Sequence, residues 1–92
     1  MHIDEVFERP SLLATMRPEE FSQAVVGLHE GWLVEALRRG SRAGGGWVLR
    51  EYGLGSVPTG RVICWHPGGG RHGLQPYWRV SSPDRGRSGI IR

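Results

Sequence analysis

With 92 residues the chain has room for one small domain, and such a domain buries only roughly 60–65% of the surface its unfolded chain exposes, so its core must be thin. That excludes a doubly wound nucleotide-binding domain, a barrel enzyme or a multi-domain machine. The single Cys64 excludes an internal disulfide framework and suits a reducing compartment. All 12 basic residues are arginine, and they are segregated: residues 1–37 carry seven acids and two arginines (net −5), and residues 38–92 carry ten arginines against Glu51 and Asp84 (net +8). The sum is only +3, yet a strongly basic rear points to a polyanionic partner, most often nucleic acid. A GC-rich genome would explain arginine in place of lysine, but not the segregation. No basic leader followed by an apolar run opens the chain, and no apolar stretch approaches the ~20 residues that span a bilayer. Action in a cytoplasm is expected, reached directly or with help from another carrier.

The opening, Met1 to Met16, is short and mixed, and Pro10 is expected to break any early helix. Arg17-Pro18-Glu19-Glu20 reads as a helix start, with proline pre-organised for the first helical position and two acids complementing the dipole. Phe21, Ala24, Val25 and Leu28 follow at i, i+3, i+4 and i+7, one apolar stripe, and Gly27 and Gly31 bracket its end. Residues 32–37 are ambiguous. Trp32, Leu33, Ala36 and Leu37 suit a helix, as does Glu35 four before Arg39, whereas alternating Trp32 and Val34 suit a strand.

From Gly40 onward lie 13 of the 15 glycines, and the apolar runs shorten to strand length. Trp47–Tyr52, Arg61–His66, Tyr77–Ser82 and Gly89–Arg92 read as strands between Gly/Pro/Ser turns, the first two closed into a hairpin by residues 53–60. The expected fold class is α+β, an N-terminal helix (or two short helices) packed on a twisted antiparallel sheet of four to five strands. It forms one domain over 1–92, with a helical acidic part (1–31) and a basic sheet part (32–92). Alternation then sorts the strands. Trp47, Leu49, Ile63, Trp65, Trp78 and Val80 face the helix, leaving Val48, Arg50, Tyr52, Val62, Cys64, His66, Tyr77, Arg79 and Ser81 on the opposite face.

His66-Pro67-Gly68-Gly69-Gly70-Arg71-His72-Gly73 is the most unusual stretch. Such a run can be a plain connector. Glycines also let consecutive backbone amides, here those of Gly69 and Gly70, approach an anion. The run is no nucleotide-binding P-loop, since it lacks lysine followed by Ser or Thr and no helix pattern follows. RNA cleavage through the 2′-hydroxyl needs a base, an acid and cations for the phosphorus oxygens. Imidazole, with an ordinary pKa of ~6.5, suits the first two and arginine the third. His72 as base and His66 as acid, or the reverse, with Arg50, Arg71 and Arg79 on phosphate, make a metal-free set, in which Tyr77 or Ser81 orients the scissile nucleotide. The four tryptophans read chiefly as core, although one can serve as a base-stacking platform. Cys64 reads as a small buried residue rather than a nucleophile. Two histidines six apart, with no adjacent Cys, Asp or Glu, do not match zinc spacings, and the chain contains no asparagine for a ββα-metal nuclease motif. No metal and no cofactor is expected.

Gly46-Trp47-Val48-Leu49-Arg50-Glu51-Tyr52, Pro58-Thr59-Gly60-Arg61, Trp65-His66-Pro67-Gly68-Gly69-Gly70, His72-Gly73, Pro76-Tyr77-Trp78-Arg79-Val80 and Ser88-Gly89-Ile90-Ile91-Arg92 occur in this order. Together they resemble the C-terminal toxin domains of bacterial polymorphic toxins, and Pro10-Ser11-Leu12-Leu13 followed by Pro18-Glu19-Glu20 resembles their start. The resemblance covers nearly the whole chain. It implies a ribonuclease of the barnase, EndoU, colicin and RelE kind, metal-independent, giving 2′,3′-cyclic phosphate ends from RNA such as tRNA or rRNA. It further implies delivery into a competitor's cytoplasm as part of a larger protein, and neutralisation by a cognate acidic immunity protein. The isolated domain is expected to be a monomer. In similar sequences the segment around Trp32 is a strand, position 71 is often a second histidine, and position 64 is more usually arginine. This chain departs at the last two, with Arg71 and Cys64. The alternative from another class is a non-catalytic module holding RNA or DNA on the same basic face. A third reading is a protein-interaction domain whose arginines dock an acidic partner.

Overall fold

The computed structural model describes residues 2–36, 45–69 and 73–92. Its helical layer has three pieces. Helix α1 (Ile3–Glu8) places Ile3, Val6 and Phe7, at i, i+3 and i+4, against the core. Its N-terminus is capped by His2, whose Nδ1 accepts the Asp4 N–H at 3.2 Å. Pro10 does not prevent this helix but bounds it, and then opens a 3-10 helix over Pro10–Thr15 that buries Leu13 completely. Helix α2 (Pro18–Leu28) starts on its proline as expected, with Glu19 and Glu20 in the first turn and Phe21 and Val25 buried. The expected stripe fails at its end: Ala24 is exposed and Leu28 is 79% exposed. Leu28 instead borders a groove that Ile3 and Met16 also line, so the last turn of α2 projects past the core.

Among the described residues five antiparallel strands follow in the order of the chain: β1 (Trp32–Ala36), β2 (Trp47–Tyr52), β3 (Pro58–His66), β4 (Tyr77–Ser82) and β5 (Gly86–Arg87). The α+β class and the helices-on-antiparallel-sheet arrangement are as the sequence implied. The ambiguous segment is a strand. Gly31, at φ +86°, turns the chain out of α2, and its carbonyl accepts the Tyr52 N–H at 2.8 Å, which locks Trp32 opposite Glu51. Trp32 then lies 2% exposed in the core, which a helix could match only by giving up that ladder. Glu35 is therefore on a strand; Leu37 and Arg39, the other residues of the helical reading, lie outside the described residues.

Two strand boundaries differ from expectation. β3 begins at Pro58, because a bulge between Arg50 and Tyr52 in the β2–β3 register, with Gly60 at φ +94°, carries the pairing beyond Arg61. The last predicted strand is reduced to one bridge, Ile91 with Trp78. The ladder is interrupted where the Ser88 hydroxyl, rather than a carbonyl, accepts the Val80 N–H at 3.0 Å.

Leu49, Ile63, Trp78 and Val80 are buried in the cluster with the helical residues, and Trp47 and Trp65 pack on it partly buried, so the alternation reading of the inner face holds. Phe21 meets Trp78 edge-on, with ring centroids 5.4 Å apart.

The charge segregation of the sequence is partly undone in space. Arg61, whose side chain is 24% exposed, pairs with Asp4 at 2.7 Å and with Glu51 at 3.5 Å. Its guanidinium also lies 4.3 Å from the Phe7 ring centroid. Arg85 donates to the Phe7 and Glu8 carbonyls at 3.4 and 3.1 Å, closing the C-terminus of α1. These two arginines are therefore tie bars between sheet and helix, not the steering charge that a basic rear half implies. Replacing Arg61 with alanine is expected to cost about 1.5–3 kcal/mol in denaturant unfolding, because it leaves packed and charge-assisted contacts unmade. The same change at Arg17, whose pair with Glu20 is fully solvated, stays within about 0.5 kcal/mol.

Candidate active site

The sheet face away from the helices is built in cross-strand rows. One row reads Glu35, Val48, Cys64, Arg79 from β1 to β4. The next reads Leu33, Arg50, Val62, Ser81, Arg87, and a third pairs His66 with Tyr77 at the far end. Neighbouring strands sit about 4.8 Å apart, so these rows put three arginines around an apolar floor of Val48, Val62 and Cys64. Val48 and Tyr77 are buried, Cys64 and Val62 half-buried, so the floor is more enclosed than a polar surface implies.

Cys64 reports on this surround. Burial pushes its thiol above the ordinary range, while the positive charges of Arg50, Arg87 and Arg79 pull the other way and do not prevail. The thiol is therefore protonated at neutral pH and no ready nucleophile. Its alkylation by iodoacetamide is expected to be slow at pH 7, with an inflection above that of a free thiol. The sign for stability follows: with the folded pKa raised, the contribution is present below the ordinary thiol value and is lost as pH rises through the folded one.

Arg79 is the group that stands out. Its Nε is buried and has no hydrogen-bond partner, the one such side-chain atom among the described residues. Tyr77, two residues earlier on the same face, stacks on His66 with ring centroids 4.5 Å apart and planes 9° from parallel. Arg79 is thus the diagonal neighbour of His66 across β3–β4, about 7–8 Å away between α-carbons. Arg92 holds its guanidinium 5.8 Å from the Tyr77 centroid.

The structure brings His66, Tyr77 and Arg79 together and leaves Ser81 apart. Ser81 lies four residues along β4 from Tyr77, roughly 13 Å, beside Arg87 and Val62. In the glycine loop, the Gly69 N–H donates to the Gly73 carbonyl at 2.7 Å, so that amide closes the loop rather than facing outward. Gly68, at φ +91°, packs so tightly on the Leu74 carbonyl that a side chain there would collide with it. Gly70, Arg71 and His72 lie outside the described residues.

Sequence reasoning missed Glu35. Its carboxylate receives Arg50 Nε at 3.4 Å on one oxygen and the Tyr52 hydroxyl at 2.9 Å on the other. The hydrogen bond to Glu35 also raises the Tyr52 phenol above its ordinary value. Arg50 is therefore aimed by a carboxylate from the acidic front, not left solvated or paired with Glu51. The available signal was alternation of Trp32, Val34 and Ala36, which places Glu35 on the face of Arg50 once the segment is read as a strand.

Among the described residues no three His, Cys, Asp or Glu side chains gather as metal ligands would, and no helix is long and apolar enough to cross a membrane. Compared with protein-family models, with curated proteins and with solved structures, the chain matches none.

Proposed function

We propose that this chain is a metal-independent endoribonuclease domain of the toxin kind, cleaving RNA by attack of a 2′-hydroxyl on the adjacent phosphorus. The observation that carries the reading is the buried, unpartnered Nε of Arg79 beside the His66–Tyr77 stack. An N–H held dry without an acceptor loses free energy, and a phosphate oxygen is the acceptor that a guanidinium fork fits best. Arg79 is carried on β4, so strand pairing fixes the backbone from which this donor reaches a phosphate. Such an oriented donor is typically worth about 3–4 kcal/mol in a transition state where charge grows on that oxygen.

His66 supplies one proton-transfer group, and its ring is fixed by the face of Tyr77. His72, the residue before Gly73, supplies the other. One takes the 2′-OH proton and the other protonates the departing 5′-oxygen, leaving a 2′,3′-cyclic phosphate. Arg50, aimed by the Glu35 carboxylate that the Tyr52 hydroxyl also bonds, and Arg79 hold the phosphate from two sides of the Cys64 floor, and Arg87 extends the positive surface. Arg71 adds a further cation in the loop. The partner that silences such a face is an acidic immunity protein, and the working compartment is the cytoplasm of a target cell.

The test is RNA cleavage in excess EDTA, followed by identification of the new 3′ ends. Cleavage that survives chelation and leaves cyclic phosphates supports the reading. Cleavage that vanishes with chelation defeats the metal-free chemistry. Salt-sensitive RNA binding without turnover replaces the enzyme with a binding module on the same arginines.

A further inference from the structure

At the end of the sheet that carries His66 and Tyr77, the opposite face opens into a cleft of about 400 Å³ between sheet and helices. Trp65 and Trp78 line it from the sheet, and Ala14, Met16 and Pro18 line it from the helical layer. Gln75, Pro76 and Arg92 complete the rim. Trp78 is 4% exposed and belongs to the core, whereas Trp65 is only half-buried and Gln75 is exposed. This is the size of an ordinary small-molecule site: apolar and aromatic walls with few polar groups.

Two features say what chemistry it takes. A planar indole wall accepts the face of any aromatic ring, and the neighbouring carboxamide of Gln75 offers both donor and acceptor, which match the edge of a heterocycle. Among the described residues the only charged side chain on its lining is the Arg92 guanidinium. Arg92 also reaches the solvent face, 5.8 Å from the Tyr77 centroid, so the cleft and the His66–Tyr77–Arg79 site meet around the strand ends.

We propose that this cleft is a nucleobase subsite, receiving the base of a nucleotide that flanks the scissile phosphate while Arg92 faces the intervening backbone. The proposal rests on the ribonuclease reading for its place in the reaction, not for its ligand. It makes Trp65 the stacking platform and Gln75 the residue that discriminates among bases.

The experiment is amide and indole NMR of the isotopically labelled full chain with uridine 5′-monophosphate, adenosine 5′-monophosphate and inorganic phosphate, with RNA cleavage measured on the same samples. The nucleotides are expected to shift the Trp65 indole and Gln75 side-chain signals saturably, and inorganic phosphate to leave both unmoved. Gln75→Ala, at an exposed position that does not threaten folding, is expected to weaken nucleotide binding on the order of tenfold, the worth of a hydrogen bond to the base edge. Identical shifts with phosphate and nucleotides, or a Gln75→Ala variant that binds as the parent does, overturn the subsite. Base-dependent shifts in a sample that cleaves no RNA support the subsite and remove the ribonuclease reading. Cleavage without base-dependent shifts overturns the subsite and leaves the ribonuclease standing.

Discussion

Replacing His66 with alanine is expected to lower RNA cleavage by about 10²–10⁴-fold, the usual worth of a positioned proton-transfer group. The variant should still fold. His66 is half-buried at the end of β3 and stacks on the Tyr77 face, and losing that stack costs about 0.5–1.5 kcal/mol. The two effects separate cleanly when cleavage rate and thermal midpoint are read on the same preparation. A His66→Ala variant that retains more than a tenth of the parent rate would remove His66 from the chemistry. If rate and midpoint instead fall together, His66 is only holding Tyr77.

The second large effect is in the core. Leu49 is fully buried at the centre of β2, paired with Val34 on one side and Ile63 on the other. Leu49→Ala removes three carbons from a thin core, and neighbours held by strand pairing cannot collapse onto the gap. A loss of about 3 kcal/mol is expected, within the range for buried leucines. In a domain this small that lowers the thermal midpoint by roughly 12–24 °C, and it is a large share of the whole stability. Leu54→Ala serves as the control. Leu54 is 99% exposed in the β2–β3 turn, and its loss is expected to stay within about 0.5 kcal/mol. A Leu49→Ala midpoint within a few degrees of the parent would mean that the inner face is assigned wrongly.

That inner face was legible in advance because a period of two is a strong signal. Trp47, Leu49, Ile63, Trp65, Trp78 and Val80 needed only strand assignment to be placed together, and the four central residues are the buried ones. Helix α2 was legible from Pro18-Glu19-Glu20 and the Phe21–Val25 spacing. Helix α1 carried the same i, i+3, i+4 signal in Ile3, Val6 and Phe7, but six residues before a proline make little of it. What stayed hidden depends on closure of the fold. Arg61 meets Asp4, and Arg85 meets Phe7 and Glu8, across 57 and 77–78 residues of chain, separations at which no periodicity operates. The candidate site divides in the same way. His66, Tyr77 and Arg79 share a face by alternation alone, whereas the Glu35–Arg50–Tyr52 contact needed β1 to be a strand, which its residues left undecided.

The meander has a kinetic consequence. Each strand pairs with the next in the chain, so the sheet can assemble by short loop closures, one hairpin upon another, with little entropic cost per step. The contacts of α1 with Arg61 and Arg85 are long closures, and the acceptors on α1 meet their donors only after β3 and the β4–β5 turn exist. Helix α1 then docks after these strands have formed, a latch between the two ends of the sequence. Substitutions at Asp4 or Arg85 should therefore speed unfolding while scarcely slowing the folding limb of a chevron.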